Sequence, residues 1–266
     1  MRVFICTVFM VFNTVQADYL PIFDTHLHYN ADARAKMSAQ QVIDRIQNAG
    51  ITKALVSSTD DEPTQALIAL APELFVAGLR PYRKHGELRT WMHDPSVLDY
   101  LESRLRLNKY KVMGEFHAFG DDILTPVAQQ MIALARQYDL VLHHHGDLKA
   151  LGHIYTIWPQ ARVIWAHAGF ADPDELAPIF LKYPKLWADL SMRSDIHTWG
   201  GFSPSWQAIF ISYPDRFLLG SDTYTTQRWE GLNLYTQDAQ EWLNLLPKPV
   251  ANKIAFHNAA DLLAGE

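Results

Sequence analysis

The chain has 266 residues, of which 48% are hydrophobic and 20% are charged, and this composition excludes a disordered, collagenous or coiled-coil protein. Its formal net charge of -6 at pH 7 provides no general attraction for nucleic acid or for an anionic membrane surface, so no nucleic-acid partner is expected. The single cysteine, Cys6, excludes both a disulfide framework and a cysteine-based metal site.

The first residues have the layout of a secretory signal peptide. Arg2 supplies one positive charge, the apolar run 3–12 follows, and Ala17 ends a short segment of the kind that a signal peptidase reads. We expect residues 1–17 to be removed, so that 18–266 form a mature protein that is secreted or periplasmic. A buried strand or helix is the alternative interpretation of the apolar run. No later apolar segment approaches the ~20 residues of a membrane span, so we expect none in the mature chain.

Eight short runs rich in apolar and β-branched residues recur along the rest of the chain, as is typical of buried parallel strands. They cover residues 22–28, 52–58, 74–80, 110–116, 140–145, 162–167, 186–190 and 217–222.

Helical patterns lie between these runs. Residues 38–41 have the sequence of a capping box before an apolar face, and Gly50 follows where that helix should end. Four further helices are predicted from a capping side chain followed by proline, at Asp94-Pro95, Thr125-Pro126, Asp172-Pro173 and Ser203-Pro204.

Strands that alternate with helices favour parallel pairing through right-handed crossovers. The predicted fold class is therefore α/β, as a single (β/α)8 TIM-type barrel that places its functional site at the C-terminal ends of the strands. An open, doubly wound sheet is the alternative. No Gly-x-Gly-x-x-Gly pattern follows a predicted strand, so nothing indicates a dinucleotide-binding fold.

Ionisable side chains stand at the C-terminal ends of several predicted strands. The first strand ends with His26 and His28, which point to the same side because side chains alternate along a strand. Glu115, His167 and Asp222 end the fourth, sixth and eighth strands. An alternative interpretation of each side chain is a core residue whose polar atoms are hydrogen-bonded within the protein. Polar groups at so many apolar strand ends are costly unless something uses them, and together they predict a metal site.

The fifth predicted strand ends with three consecutive histidines. Alternation places His143 and His145 on one side of the strand and His144 on the other. At least one of His143 and His145 should therefore face the barrel axis, whereas His144 should pack between the strand and a helix or lie at the rim.

These motifs together resemble the amidohydrolase superfamily, specifically its amidohydrolase-related branch (amidohydrolase 2). The resemblance extends over the whole predicted mature chain, with one departure at Asp261, where relatives often have arginine. The residues that carry it are Asp24-Thr25-His26-Leu27-His28, Gly114-Glu115, the run 143–145, His167-Ala168-Gly169, Gly220-Ser221-Asp222 and the segment 254–263.

The resemblance implies roles for the residues at the strand ends. His26 and His28 correspond to first-strand metal ligands, and Asp222 corresponds to the eighth-strand ligand that also moves the proton of the attacking water. His167 corresponds to a residue that binds a second metal, the water or a substrate oxygen. Glu115 corresponds to a ligand or a bridging carboxylate.

The resemblance also bears on the fifth-strand ligand. Reading 145–147 as the family's His-x-Asp favours His145 as the ligand. His143 has the same facing and remains the alternative.

The resemblance implies one or two divalent ions. We expect Zn²⁺, with Mn²⁺ or Fe²⁺ as alternatives, because imidazole and carboxylate ligands suit all three. The predicted reaction is hydrolysis of an amide, ester or lactone of a small organic substrate by a metal-activated water. Metal-dependent decarboxylases of aromatic or unsaturated acids have the same scaffold and supply the alternative function. A binding protein that lost the reaction is a third hypothesis, which the intact ligand set disfavours.

Three further residues are predicted to contact the substrate. Arg80 and Arg193 follow the third and seventh strands, where they could hold a substrate carboxylate, although ion pairs at the rim are an equal alternative. Tyr224 follows the eighth strand and is predicted to line an apolar part of the pocket.

Overall fold

A computed structural model describes residues 19–264, so the predicted signal peptide lies outside the described residues. Eight strands, each paired in parallel with the next, form one continuous sheet. Each strand overlaps one predicted run, which confirms the eight predictions. The strands are β1 (Ile22–Leu27), β2 (Ile51–Val56), β3 (Phe75–Leu79), β4 (Val112–His117), β5 (Val141–His145), β6 (Val163–Trp165), β7 (Leu186–Asp189) and β8 (Phe217–Leu218).

Contacts between β1 and the segment around the end of β8 bring the two edges of the sheet together. The backbone N–H of Thr25 donates to the carbonyl of Leu219 at 2.8 Å, and that of His28 donates to the carbonyl of Thr223 at 2.9 Å. Leu27 and Thr223 also form a parallel bridge. The sheet is therefore a nearly closed barrel, and the predicted TIM-type fold is confirmed.

Helices alternate with the strands around the barrel. Among the described residues they are α1 (Ala31–Arg34), α2 (Ala39–Asn48), α3 (Glu62–Leu70), α4 (Ser96–Leu107), α5 (Pro126–Gln137), α6 (Leu148–Ile157), α7 (Pro173–Lys182), α8 (Pro204–Ser212), α9 (Thr226–Glu230), α10 (Leu232–Leu243), α11 (Lys248–Asn252) and α12 (Asn258–Leu263). A two-stranded hairpin, His197–Thr198 with Gly201–Phe202, follows β7.

The predicted helix starts are found, with small differences. Ser38 and Gln41 form the reciprocal capping box of α2. Thr125 accepts a hydrogen bond from the first turn of α5, whereas Ser203 precedes α8 without such a bond. Asp94 accepts from a backbone N–H two residues on, and α4 begins one residue later than the proline pattern predicts.

The last helix covers one end of the barrel. Side chains of six strands form an apolar cluster with α12, and those at the beginnings of strands include Phe23, Val112 and Val141. Since α12 closes the N-terminal end, the C-terminal ends of the strands and their loops remain for function. Within residues 19–264, no helix has both the length and the apolar character needed to cross a membrane.

Candidate metal centre

Two imidazoles and a carboxylate converge at the C-terminal end of the barrel. The Nε2 atoms of His26 and His28 are 3.1 Å apart, and Asp222 Oδ1 lies 3.4 Å and 3.5 Å from them. All three residues are buried. Tetrahedral ligands about 2.1 Å from a shared zinc ion lie about 3.4 Å from one another. The spacing of these three residues, the metal trio, therefore fits a divalent ion.

Hydrogen bonds fix the tautomers of both histidines of the metal trio. His26 Nδ1 lies 2.6 Å from a carboxylate oxygen of Asp189, and His28 Nδ1 lies 2.5 Å from the carbonyl of Ser57. Carboxylate and carbonyl oxygens only accept hydrogen bonds, so each Nδ1 carries a proton and donates it. In the neutral ring the lone pair of each Nε2 is then directed toward Asp222, which is the orientation that a metal ligand requires.

Both residues with a predicted catalytic role have a left-handed backbone. The φ angles are 59° at His167 and 48° at Asp222, in a region that non-glycine residues seldom adopt. His167 Nε2 lies 4.0 Å from Asp222 Oδ2, and its Nδ1 donates to the carbonyl of Ser191 at 3.1 Å. Such backbone conformations are common at active sites, where the surrounding structure enforces them.

Glu115 lies beside the metal trio and also contacts other groups. Its two oxygens lie 3.5 Å from His26 Nε2 and 3.2 Å from His28 Nε2. Its Oε2 accepts from Arg80 Nη2 at 3.0 Å, and its Oε1 accepts from His145 Nδ1 at 2.7 Å. This buried carboxylate therefore joins the metal trio to an arginine and to the fifth strand, as a ligand or bridging group would.

The two candidate ligands of the fifth strand approach different carboxylates. His145 pairs with Glu115, whereas His143 Nε2 lies 3.8 Å from Asp189 and has no hydrogen-bond partner among the described residues. His144 donates from Nε2 to the carbonyl of Ala118 at 2.9 Å and is fully buried, so it packs away from the metal trio. His145 is thus the fifth-strand residue linked to Glu115.

Negative charge dominates the surroundings of His26. Burial disfavours its charged form, but the carboxylates of Asp222, Glu115 and Asp189 outweigh this and hold the pKa of His26 well above its usual range. Burial and the Arg80 guanidinium lower the pKa of the neighbouring His28. Three carboxylates around one imidazole make a pocket that favours a cation.

Two buried carboxylates beside the metal trio had no role predicted from the sequence. Asp189 is completely buried and accepts hydrogen bonds from His26 and from both the N–H and the hydroxyl of Ser191. Asp24 accepts the N–H groups of His26 and Ser221, each at 3.0 Å, and burial raises its pKa to about 6. A carboxylate inside the apolar run 186–190 was the signal that could have revealed Asp189.

The predicted substrate-binding residues have other partners. Arg80 is buried and donates to both the backbone carbonyl and the carboxylate of Glu115. Arg193 pairs with Asp195 through two hydrogen bonds of 2.8 Å, which corresponds to the ion-pair alternative. Tyr224 is 40% exposed at the rim.

Solved structures share the fold of this chain. A probable 2-pyrone-4,6-dicarboxylic acid hydrolase from Acinetobacter baumannii aligns at 15% identity and a TM-score of 0.59, over 92% of this chain and 100% of its own. An uncharacterised TIM-barrel protein from Bordetella bronchiseptica aligns at 17% identity and a TM-score of 0.64, over 92% of this chain and 99% of its own. A β-aspartyl dipeptidase from Fervidobacterium islandicum aligns at 14% identity and a TM-score of 0.58, over 92% of this chain and 73% of its own.

The sequence itself matches a family. No curated protein gives a significant match. The amidohydrolase family model matches residues 23–264, a range that contains every member of the metal trio and every strand of the barrel except the first residue of β1. The resemblance stated from the motifs is therefore confirmed, and the chain belongs to the amidohydrolase family of enzymes.

Proposed function

We propose that this enzyme is a metal-dependent hydrolase of an amide, ester or lactone in a small organic substrate. The observation that supports this most strongly is the convergence of His26 Nε2, His28 Nε2 and Asp222 Oδ1 within 3.5 Å of one another. We assign these three residues to Zn²⁺, with Mn²⁺ or Fe²⁺ as alternatives. Such an ion, when bound, lowers the pKa of a coordinated water toward about 7.

The protein groups around the metal trio suit hydrolysis. Asp222 accepts a proton from the attacking water and passes it to the leaving group. Burial lowers the pKa of His167, and its Nδ1–H already donates to Ser191, so its Nε2 accepts a hydrogen bond from the water and orients it. Glu115 and the fifth-strand His145 complete the ligand set of the proposed centre, with His143 as the alternative to His145.

Metal analysis with a substrate panel tests the proposal. The panel contains 2-pyrone-4,6-dicarboxylate and a β-aspartyl dipeptide, after the names of two similar structures, together with aromatic carboxylic acids. We expect bound metal and metal-dependent hydrolysis in the wild type. His26→Ala should lose both, whereas His153→Ala, on the surface beside Asp121, should keep both.

Two other outcomes would contradict the hydrolase. Release of carbon dioxide without hydrolytic turnover would establish the decarboxylase alternative. Metal-replete protein that binds no ion would refute the assignment of the metal trio.

Asp189→Asn is expected to weaken metal binding by about 10–100-fold, because the carboxylate that accepts from His26 Nδ1 orients the ligating imidazole and raises its basicity. His26 would then lose its carboxylate acceptor while the trio itself remained intact. Competition with a chelator measures the change. Asp121→Asn, at an exposed carboxylate, is the matched control. Equal affinities of the two variants would show that Asp189 does not position His26.

We also propose that residues 1–17 direct the chain to a secreted or periplasmic location and that 18–266 form the mature single domain. The apolar run after Arg2 and the position of Ala17 support this. N-terminal sequencing of the protein after expression with export machinery should begin at Asp18. A processed chain that begins elsewhere, or full-length protein retained in the cytoplasm, would contradict it.

A further inference from the structure

We propose that His117, a residue without a role so far, contacts the substrate by donating a hydrogen bond from its Nε2–H. This inference rests on the proposed hydrolase function. His117 ends β4, and its side chain is 15% exposed at the edge of the site. Its ring stacks on that of His145 with centroids 4.1 Å apart, and its Nε2 lies 3.9 Å from Glu115 Oε1.

The buried hydroxyl of Tyr82 determines which nitrogen of His117 carries the proton. Tyr82 is completely buried, and its oxygen accepts the backbone N–H of His117 at 2.6 Å. The same oxygen lies 3.0 Å from His117 Nδ1. A buried hydroxyl proton needs an acceptor, and within residues 19–264 this nitrogen is the acceptor in contact. Tyr82 therefore donates to Nδ1, and the neutral imidazole carries its proton on Nε2.

This tautomer is the opposite of the one found at three other histidines of the site. His26, His28 and His167 each donate from Nδ1 to a protein acceptor, so Nε2 is the nitrogen that each of them turns toward the proposed metal position. His117 instead presents an N–H, which cannot ligate a metal. Although Glu115, His117 and His145 are close enough to form a metal cluster, this hydrogen bonding assigns His117 a donor role.

The Nε2–H of His117 is available to a bound molecule. Its distance of 3.9 Å from Glu115 Oε1 is too long for a hydrogen bond, and no other acceptor contacts it within the described part of the chain. The same Glu115 oxygen lies 3.5 Å from His26 Nε2, so the Glu115 carboxylate lies between the His117 donor and the metal trio. The group that it fits is a carbonyl or carboxylate oxygen of the substrate.

The first test reads the tautomer directly. Two-bond ¹H–¹⁵N spectra of metal-free protein labelled with ¹⁵N-histidine should show a protonated Nε2 and an unprotonated Nδ1 at His117, whose signals are assigned by their absence in His117→Gln. Tyr82→Phe should remove this preference. A wild-type His117 protonated on Nδ1 would overturn the proposal. Because no metal is present, this result is independent of whether the metal trio binds an ion.

The second test measures the contact between His117 and a bound carboxylate. It uses zinc-loaded protein, with acetate as the carboxylate probe. Acetate should shift the His117 Nε2–H resonance, and His117→Ala should weaken acetate binding by about tenfold, the value of one hydrogen bond. His117→Gln, which places an amide N–H near the same position, should restore binding to within about threefold. An unchanged resonance at a large excess of acetate, or equal binding by the Ala and Gln variants, would overturn the proposal. Loss of zinc would be detected separately by metal analysis and would instead count against the hydrolase assignment.

Discussion

Asp222→Asn is expected to lower kcat by about 10²–10⁴-fold on any substrate that the wild-type enzyme hydrolyses, since proton transfer by a positioned base contributes that much. Asparagine fills the same space but cannot accept a proton from water. The measurement is kcat at saturating substrate, together with the metal content of each variant. Asp215→Asn, which changes an exposed carboxylate paired with Lys253, is the matched control. A variant that kept its metal and retained kcat within about threefold would exclude Asp222 as the base.

Gly114→Ala is expected to destabilise the barrel by about 3 kcal/mol or more, because a strained backbone and a forced steric overlap each cost about 1–3 kcal/mol. Gly114 has a φ of +131°, and a Cβ there would overlap the carbonyl oxygen of His143 on the neighbouring strand. The oxygen belongs to the backbone and the Cβ would be bonded directly to the backbone, so neither can move away easily.

Gly50→Ala provides the control for that experiment. Gly50 also has a positive φ, +75°, but a Cβ there would meet no atom within 4 Å. This variant should lose only about 1–2 kcal/mol, the cost of the left-handed conformation. Urea unfolding of both variants measures the difference. Equal losses of unfolding free energy in the two variants would show that the close approach of β4 to β5 does not restrict the size of the side chain at position 114.

The barrel was predictable because its signals are local. Apolar runs of strand length and capping residues before prolines specify each element within a few residues, and alternation places His26 and His28 on the same side. Convergence with Asp222 then follows from parallel strand ends meeting at one face. These inferences need only the direction of each strand and the alternation of side chains between its two faces.

Contacts that depend on register were not predictable. Pairing between β4 and β5 shifts between Gly114 and Phe116, which places His117 opposite His145. No sequence pattern specified that irregularity, so the different carboxylate partners of the fifth-strand histidines could not be assigned. Tyr82 is 35 residues from His117, and its hydrogen bond depends on the path of the loop after β3. Asp189 was missed because its apolar neighbours resemble those of an ordinary core strand.

The anchoring of His26 and His28 has a consequence for which ion the enzyme acquires. Asp189 and the Ser57 carbonyl hold the two rings in place, so the two imidazoles are already positioned before an ion binds. Divalent ions of similar radius can then exchange at little conformational cost, so metal availability contributes to selectivity beside ligand affinity. Protein grown in media enriched in zinc, manganese or iron should carry more of the enriched ion, because metal availability contributes to occupancy.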